Sequence, residues 1–172
     1  MTSNLIQSGA KGEAVSALQT KLKKLGFAVQ TDGIYGPGTK GAIEELQTLF
    51  GYDVDGVVGP GTAKLIDQQL GLSFSVEDPA ALKRALESNA QHAPKRVLQH
   101  GTDGPDVRLL QRKLGLLGYS VAVDGKYGPA TEKAVRALQQ AFGYDLDGIA
   151  GTATDKLINQ QIGLGWNSSK QT

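Results

Sequence analysis

A chain of 172 residues with 18 Lys and Arg against 17 Asp and Glu has no positive surplus for gathering phosphates, which argues against a nucleic-acid partner. It contains no cysteine, so disulfides, thiolate nucleophiles and sulfur-ligated metals are excluded together. No apolar run approaches the length that spans a bilayer, and membrane insertion is not expected.

The first residues, Met1 to Ile6, have neither the basic start nor the apolar core of a secretion signal. The expectation is therefore export by another route, or a trimmed start. Val15, Leu18, Leu22 and Leu25 then recur at three- and four-residue steps, one face of a helix, with Gly26 as a left-handed stop. A second helix is expected through Ala42, Ile43, Leu46 and Phe50, ending at Gly51, and a short third through Leu65, Ile66 and Leu70, ending at Gly71. Asp78-Pro79 is a good helix opening, and Leu82 and Leu86 lie one turn apart, which predicts a linker helix ended by Pro94. Val107, Leu110, Leu114 and Leu117 precede Gly118. Ala134, Val135, Leu138 and Phe142 precede Gly143, and Leu157, Ile158 and Ile162 precede Gly163.

This second set of three helices restates the first. Residues 5–72 align without a gap on 97–164 at a constant offset of 92, and about half of the paired positions are identical. A repeat of this length is a tandem of small domains rather than a solenoid. The fold class expected is all-α: two small three-helix domains with Gly-rich turn loops, joined by a helical linker. The limits expected are residues 1–72, a linker at 73–96, residues 97–166 and a disordered tail at 167–172.

The loops between helices are as regular as the helices. Asp32-Gly33-Ile34-Tyr35-Gly36-Pro37-Gly38-Thr39 precedes the second helix, and Asp55-Gly56 leads to Gly59 and Thr62 before the third. The other copy has Asp124-Gly125-Lys126-Tyr127-Gly128-Pro129-Ala130-Thr131, then Asp147-Gly148 leading to Gly151 and Thr154. Asp-Gly makes a tight turn, and each Thr is expected to cap the following helix by accepting a backbone N–H.

These residues resemble the small helical peptidoglycan-binding family that accompanies bacterial and phage cell-wall hydrolases. The resemblance rests on Gly9, Gly12, Val15, Leu18 and Gln19, then Asp32, Gly33, Tyr35, Gly36 and Thr39. It continues through Leu46, Gln47, Asp55, Gly56, Gly59, Thr62 and Leu65. The second copy carries it from Gly101, Gly104, Val107, Leu110 and Gln111 through Asp124, Gly125, Tyr127, Gly128 and Thr131. Leu138, Gln139, Asp147, Gly148, Gly151, Thr154 and Leu157 complete it. Thr152 stands where the first copy has Pro60. The resemblance implies peptidoglycan, glycan strand or stem peptide, as partner and a wall-facing location in the cell envelope or outside the cell. The family usually accompanies a catalytic domain, and none fits within this chain.

Candidate ligand contacts are Asp32, Gly33, Tyr35 and Gly36 with Asp124, Gly125, Tyr127 and Gly128. The Asp and Gly residues are accounted for as turns. The rings of Tyr35 and Tyr127 suit either a sugar face or the local core. Gln19, Gln47, Gln111 and Gln139 stand beside the core leucines and are expected to satisfy loop backbone groups.

A calcium loop fails, because placing Gly56 at the sixth position puts Gly51 first and Thr62 twelfth, where acidic ligands are needed. No metal or cofactor is expected. The histidines, His92 and His100, have no ligand spacing, and no Glu recurs between the copies: Glu13 faces Pro105, Glu44 faces Arg136 and Glu132 faces Lys40. Without two facing carboxylates or a nucleophilic triad, an enzyme is not expected. The function expected is non-catalytic cell-wall binding by two modules. The alternative is a structural adaptor that grips a protein partner in a secretion apparatus, phage-like particle or spore layer.

Overall fold

The computed structural model describes residues 5–88 and 96–170. Among them are seven α-helices: α1 (Glu13–Lys24), α2 (Pro37–Leu49), α3 (Pro60–Gly71), α4 (Pro79–Ser88), α5 (Pro105–Leu116), α6 (Pro129–Ala141) and α7 (Thr152–Leu164). A 3-10 turn follows at Ser168–Lys170. Extended pairing among the described residues is limited to isolated antiparallel bridges, Ile6 with Val58 and Lys11 with Ile34, repeated as Leu98 with Ala150 and Asp103 with Lys126. The all-α class follows. The chain divides into two units, Met1–Ala85 and Leu86–Thr172.

In the first unit α1 packs on α3, and Val15, Leu18, Leu22, Leu25, Ile43, Leu46, Leu65 and Ile66 are buried. In the second, α5 packs on α6 and α7 around Val107, Leu110, Leu114, Val135, Leu138, Leu157 and Ile158. These are the periodic positions of the sequence, and each fully buried aliphatic side chain contributes roughly 1.5–3 kcal/mol.

The helix ends differ from expectation in two respects. Prolines 37, 60, 105 and 129 occupy the first helical position, where a missing N–H costs nothing, and the cap position itself is glycine. Thr39, Thr62, Thr131 and Thr154 therefore fall inside the first turn, buried, and make no cap bond. The second difference concerns the third helix of each unit, which runs past the expected glycine stop. Gly71 lies within α3, and the left-handed residue is Ser73 (φ 53°). In the second unit Gly165 (φ 71°) holds that position at the end of α7.

The repeat also extends further than the identities showed. The Val76 N–H donates to Leu25 O at 2.9 Å, and 92 residues on the Ser168 N–H donates to Leu117 O at 2.8 Å. Phe74 meets the ring of Phe50 edge-on at 5.3 Å, and Trp166 meets Phe142 in the same way at 5.1 Å. The segment after α3 is thus built into the first unit, with Phe74, Val76, Ala81, Leu82 and Ala85 buried. Trp166 packs on Tyr119 and Phe142, and Ser168, within the expected tail, carries the bond to Leu117. Gln171 and Thr172 lie outside the described residues, as does the helix stop assigned to Pro94.

Candidate functional site

Each Asp-Gly loop is organised by one buried glutamine from the preceding helix. Gln19 on α1 is 1% exposed. Its Nε2 faces Asp32 Oδ1 at 2.9 Å, Ile34 O at 3.0 Å and Thr39 Oγ1 at 3.0 Å, and its Oε1 accepts the Gly33 N–H at 2.9 Å. Asp32 Oδ1 also accepts the Ile34 N–H at 2.9 Å, closing the turn. Gly33 has φ +71°, the left-handed region that favours glycine, and a Cβ there would come within 2.8 Å of Ser16 Oγ. Gln47 on α2 repeats the arrangement for the next loop, with Asp55 Oδ1 at 2.7 Å, Val57 O at 3.2 Å and the Gly56 N–H at 2.9 Å.

The second unit has the same clasps. Gln111 holds Asp124 Oδ1 at 2.8 Å, Lys126 O at 3.0 Å, Thr131 Oγ1 at 3.1 Å and the Gly125 N–H at 2.9 Å. Gln139 holds Asp147 Oδ1 at 2.7 Å and the Gly148 N–H at 3.0 Å. All four glutamines have the loop-satisfying role expected of them. The backbone N–H of Ile34 and then the Gln19 amide hold the Asp32 carboxyl below its usual range. Val57 and Gln47 do the same for Asp55, Lys126 and Gln111 for Asp124, and Ile149 and Gln139 for Asp147.

The tyrosines of the motif join the two loops of each unit. Tyr35 is 1% exposed, and its hydroxyl donates to Gly56 O at 2.7 Å; Tyr127, equally buried, donates to Gly148 O at 2.7 Å. Burial, then nearby carboxylates, pushes both hydroxyls well above the usual tyrosine range. These rings belong to the core. Of the two roles the sequence offers these rings, sugar face or local core, the structure shows the core one, with each ring lying under the next loop. Gly33 and Gly125 are buried as well, Gly36 and Gly128 are half-buried, and Asp32 and Asp124 are exposed but committed to their turns. The candidate residues do come together in each unit, as a scaffold.

The exposed aromatics lie elsewhere. Tyr52 and Tyr144, just after α2 and α6, are 40% and 42% exposed. Their sequence signal is a Gly-Tyr-Asp string found in both copies at 51–53 and 143–145, which the loop motif overshadows. Among the described residues no group of three or more His, Asp or Glu stands together as a metal site, and no helix is long and apolar enough to cross a membrane.

Two domains of three helices, each with paired Asp-Gly loops clasped by glutamine and tied by a buried tyrosine, define a tandem of one small domain type. The chain belongs to the family described as putative peptidoglycan binding domain, whose model matches twice, at residues 11–66 and 103–158. It is similar to a zinc D-Ala-D-Ala carboxypeptidase of Streptomyces albus G, 44% identical over 67 residues, 37% of this chain and 26% of that protein. It is 30% identical over 163 residues to the N-acetylmuramoyl-L-alanine amidase CwlL of Bacillus licheniformis, covering 89% of this chain and 44% of the amidase. Among solved structures, the SleB N-terminal domain is 39% identical with a TM-score of 0.37, over 40% of this chain and 94% of that one. The chain thus spans less than half the length of either of those two curated relatives.

Proposed function

We propose that this chain is a non-catalytic peptidoglycan-binding protein whose two domains engage one polymer together, in a wall-facing location. The observation that carries the reading is the double match to the peptidoglycan-binding family, once on each unit. Peptidoglycan is itself a repeating polymer, so a second module close to the first binds at high effective concentration. Avidity can then exceed either single affinity by roughly 10²–10⁴ without new contacts. The absence of a catalytic role is supported by the four recurrent aspartates, each of which accepts its own turn N–H and a glutamine amide. The Asp-Gly-x-Tyr-Gly loops contribute as rigid supports of the binding surface.

The test is co-sedimentation with insoluble peptidoglycan sacculi stripped of protein and attached polymers, with the supernatant assayed for soluble muropeptides. Saturable pelleting without muropeptide release is expected. A folded sample that stays in solution would contradict the binding reading, and released muropeptides would contradict the non-catalytic one.

A further inference from the structure

The internal duplication allows a comparison of surfaces. A surface position with no role in folding is free to differ between copies, and the outer faces of the first two helices differ strongly. Lys23 and Lys24 correspond to Gly115 and Leu116, and the Lys40–Glu44 pair reverses its charges as Glu132–Arg136. Core, turn and first-helical-position residues recur for reasons already given. Five further exposed side chains are identical in both copies and lie together: Tyr52, Asp53, Lys64, Gln68 and Leu72, with Tyr144, Asp145, Lys156, Gln160 and Leu164. Gln7 and Gln99, in the turn after the bridges of Ile6 and Leu98, are also exposed and unchanged.

Four of the five form one line in the first unit, with Asp53 next to Tyr52 in the chain. Lys64, Gln68 and Leu72 stand at four-residue steps on α3 and its cap, so they share a face. Gly61 lies three residues before Lys64 on that face, and the Tyr52 ring rests beside it: a Cβ on Gly61 would meet the ring at 3.8 Å. From Gly61 to Leu72 the face is about 16 Å long. Leu72 and Leu164 are 72% and 73% exposed. Among the described residues, Lys64, Gln68, Asp53 and their counterparts have no side-chain hydrogen bond or ion pair. Lys21, by contrast, pairs with Asp67 and Lys113 with Asp155. Folding does not use these groups.

Their chemistry describes a ligand. A half-exposed tyrosine ring offers an apolar plane and a polar tip, which suits the C–H face of a pyranose. An unpaired ammonium one helical turn along seeks a carboxylate, and the next amide can both donate to and accept from an amide. The leucine at the far end takes an apolar methyl. In intact peptidoglycan the lactyl carboxyl of the muramic acid is amide-bonded to the stem peptide, so the carboxylates left for the lysine are the peptide's, and a bare peptide has no sugar face for the tyrosine. We infer that the outer face of α3, from Tyr52 to Leu72, and that of α7, from Tyr144 to Leu164, bind a muropeptide: an N-acylated amino sugar together with its attached stem peptide. This inference rests on the peptidoglycan-binding reading.

The test is an NMR titration of the isotope-labelled full chain with a soluble disaccharide–tetrapeptide, a disaccharide of N-acetylglucosamine, which carries no carboxylate, and the tetrapeptide alone. The disaccharide–tetrapeptide is expected to move the amides of Tyr52, Asp53, Lys64 and Gln68 and their counterparts, and to bind more tightly than either part. Tyr52→Ala with Tyr144→Ala should weaken it at least tenfold. Lys64→Gln with Lys156→Gln should weaken the disaccharide–tetrapeptide and leave the disaccharide unaffected. Lys23→Gln, on the divergent face, serves as the control. All these positions are exposed, and far-ultraviolet circular dichroism checks that each variant folds. Shifts confined to the outer faces of α1, α2, α5 and α6, or unchanged affinity in both double variants, would overturn the assignment. If the wild-type chain still pelleted with sacculi, the peptidoglycan reading would survive that result. A wild-type chain that neither pellets nor titrates would overturn both.

Discussion

Replacing Gln19 by leucine keeps the volume in the core but strands the buried Gly33 N–H and removes the support of the Asp32 turn. An orphaned buried donor costs about 1–3 kcal/mol, so Gln19→Leu should lower the urea unfolding free energy by that amount. One lysine position carries a sharper contrast between the copies. Lys21 pairs with Asp67 at 2.6 Å, with their side chains 45% and 60% exposed, whereas Lys113 pairs with Asp155 at 2.6 Å with side chains 5% and 9% exposed. Removing one partner of a buried pair leaves an uncompensated charge, at about 3–5 kcal/mol. An exposed pair contributes about 0–1 kcal/mol. Asp155→Ala should therefore destabilise strongly and Asp67→Ala hardly at all, as read from denaturant midpoints. The turn aspartates give a pH dependence of definite sign. The carboxyls of Asp32, Asp55, Asp124 and Asp147 are held low in the folded state, so their stabilisation is complete above the unfolded carboxylate range. It is lost as pH falls through the folded values, from about pH 5 downward. Asp→Asn at all four keeps an Oδ1 acceptor and should flatten the acid limb of a melting-temperature profile; an unchanged limb would assign acid sensitivity elsewhere.

At the scale of elements, the end of the third helix distinguishes the two copies. Ser73 adopts the left-handed conformation that its counterpart Gly165 adopts without a side-chain clash. Ser73→Gly should stabilise the first unit by about 0.5–1 kcal/mol, seen as a higher urea midpoint, and a lower midpoint would contradict this account of the helix end. The elements themselves were legible in the sequence, because aliphatic spacing gives the helices and Gly26, Gly51, Gly118 and Gly143 take up positive φ just beyond them. The glutamine clasps were legible in outline, since a polar residue beside core leucines needs loop partners. The docked segments were not. Phe74 and Trp166 do the same work with different rings, flanked by Ser in one copy and by Gly and Asn in the other, so identity gave no signal. The threonines are not caps because the helices start two residues earlier, at proline in three cases and at Thr152 in the fourth. The orientation of the tyrosines was not legible for a related reason: sequence shows that an aromatic follows a turn, but which side it faces depends on a carbonyl 21 residues away.

At the scale of the whole molecule, duplication is the property that shapes function. Each unit has its own core and its own clasped loops, and the two carry the same unpaired side chains on the third helix. On the function we propose, each small surface binds weakly and useful affinity belongs to the pair acting on one polymer. The most direct measurement compares the affinity of the intact chain for sacculi with its affinity for a soluble disaccharide–tetrapeptide, which only one domain can hold at a time. Sacculus binding is expected to be tighter by roughly 10² or more. Equal affinities would contradict it, showing that the two domains bind without assisting one another.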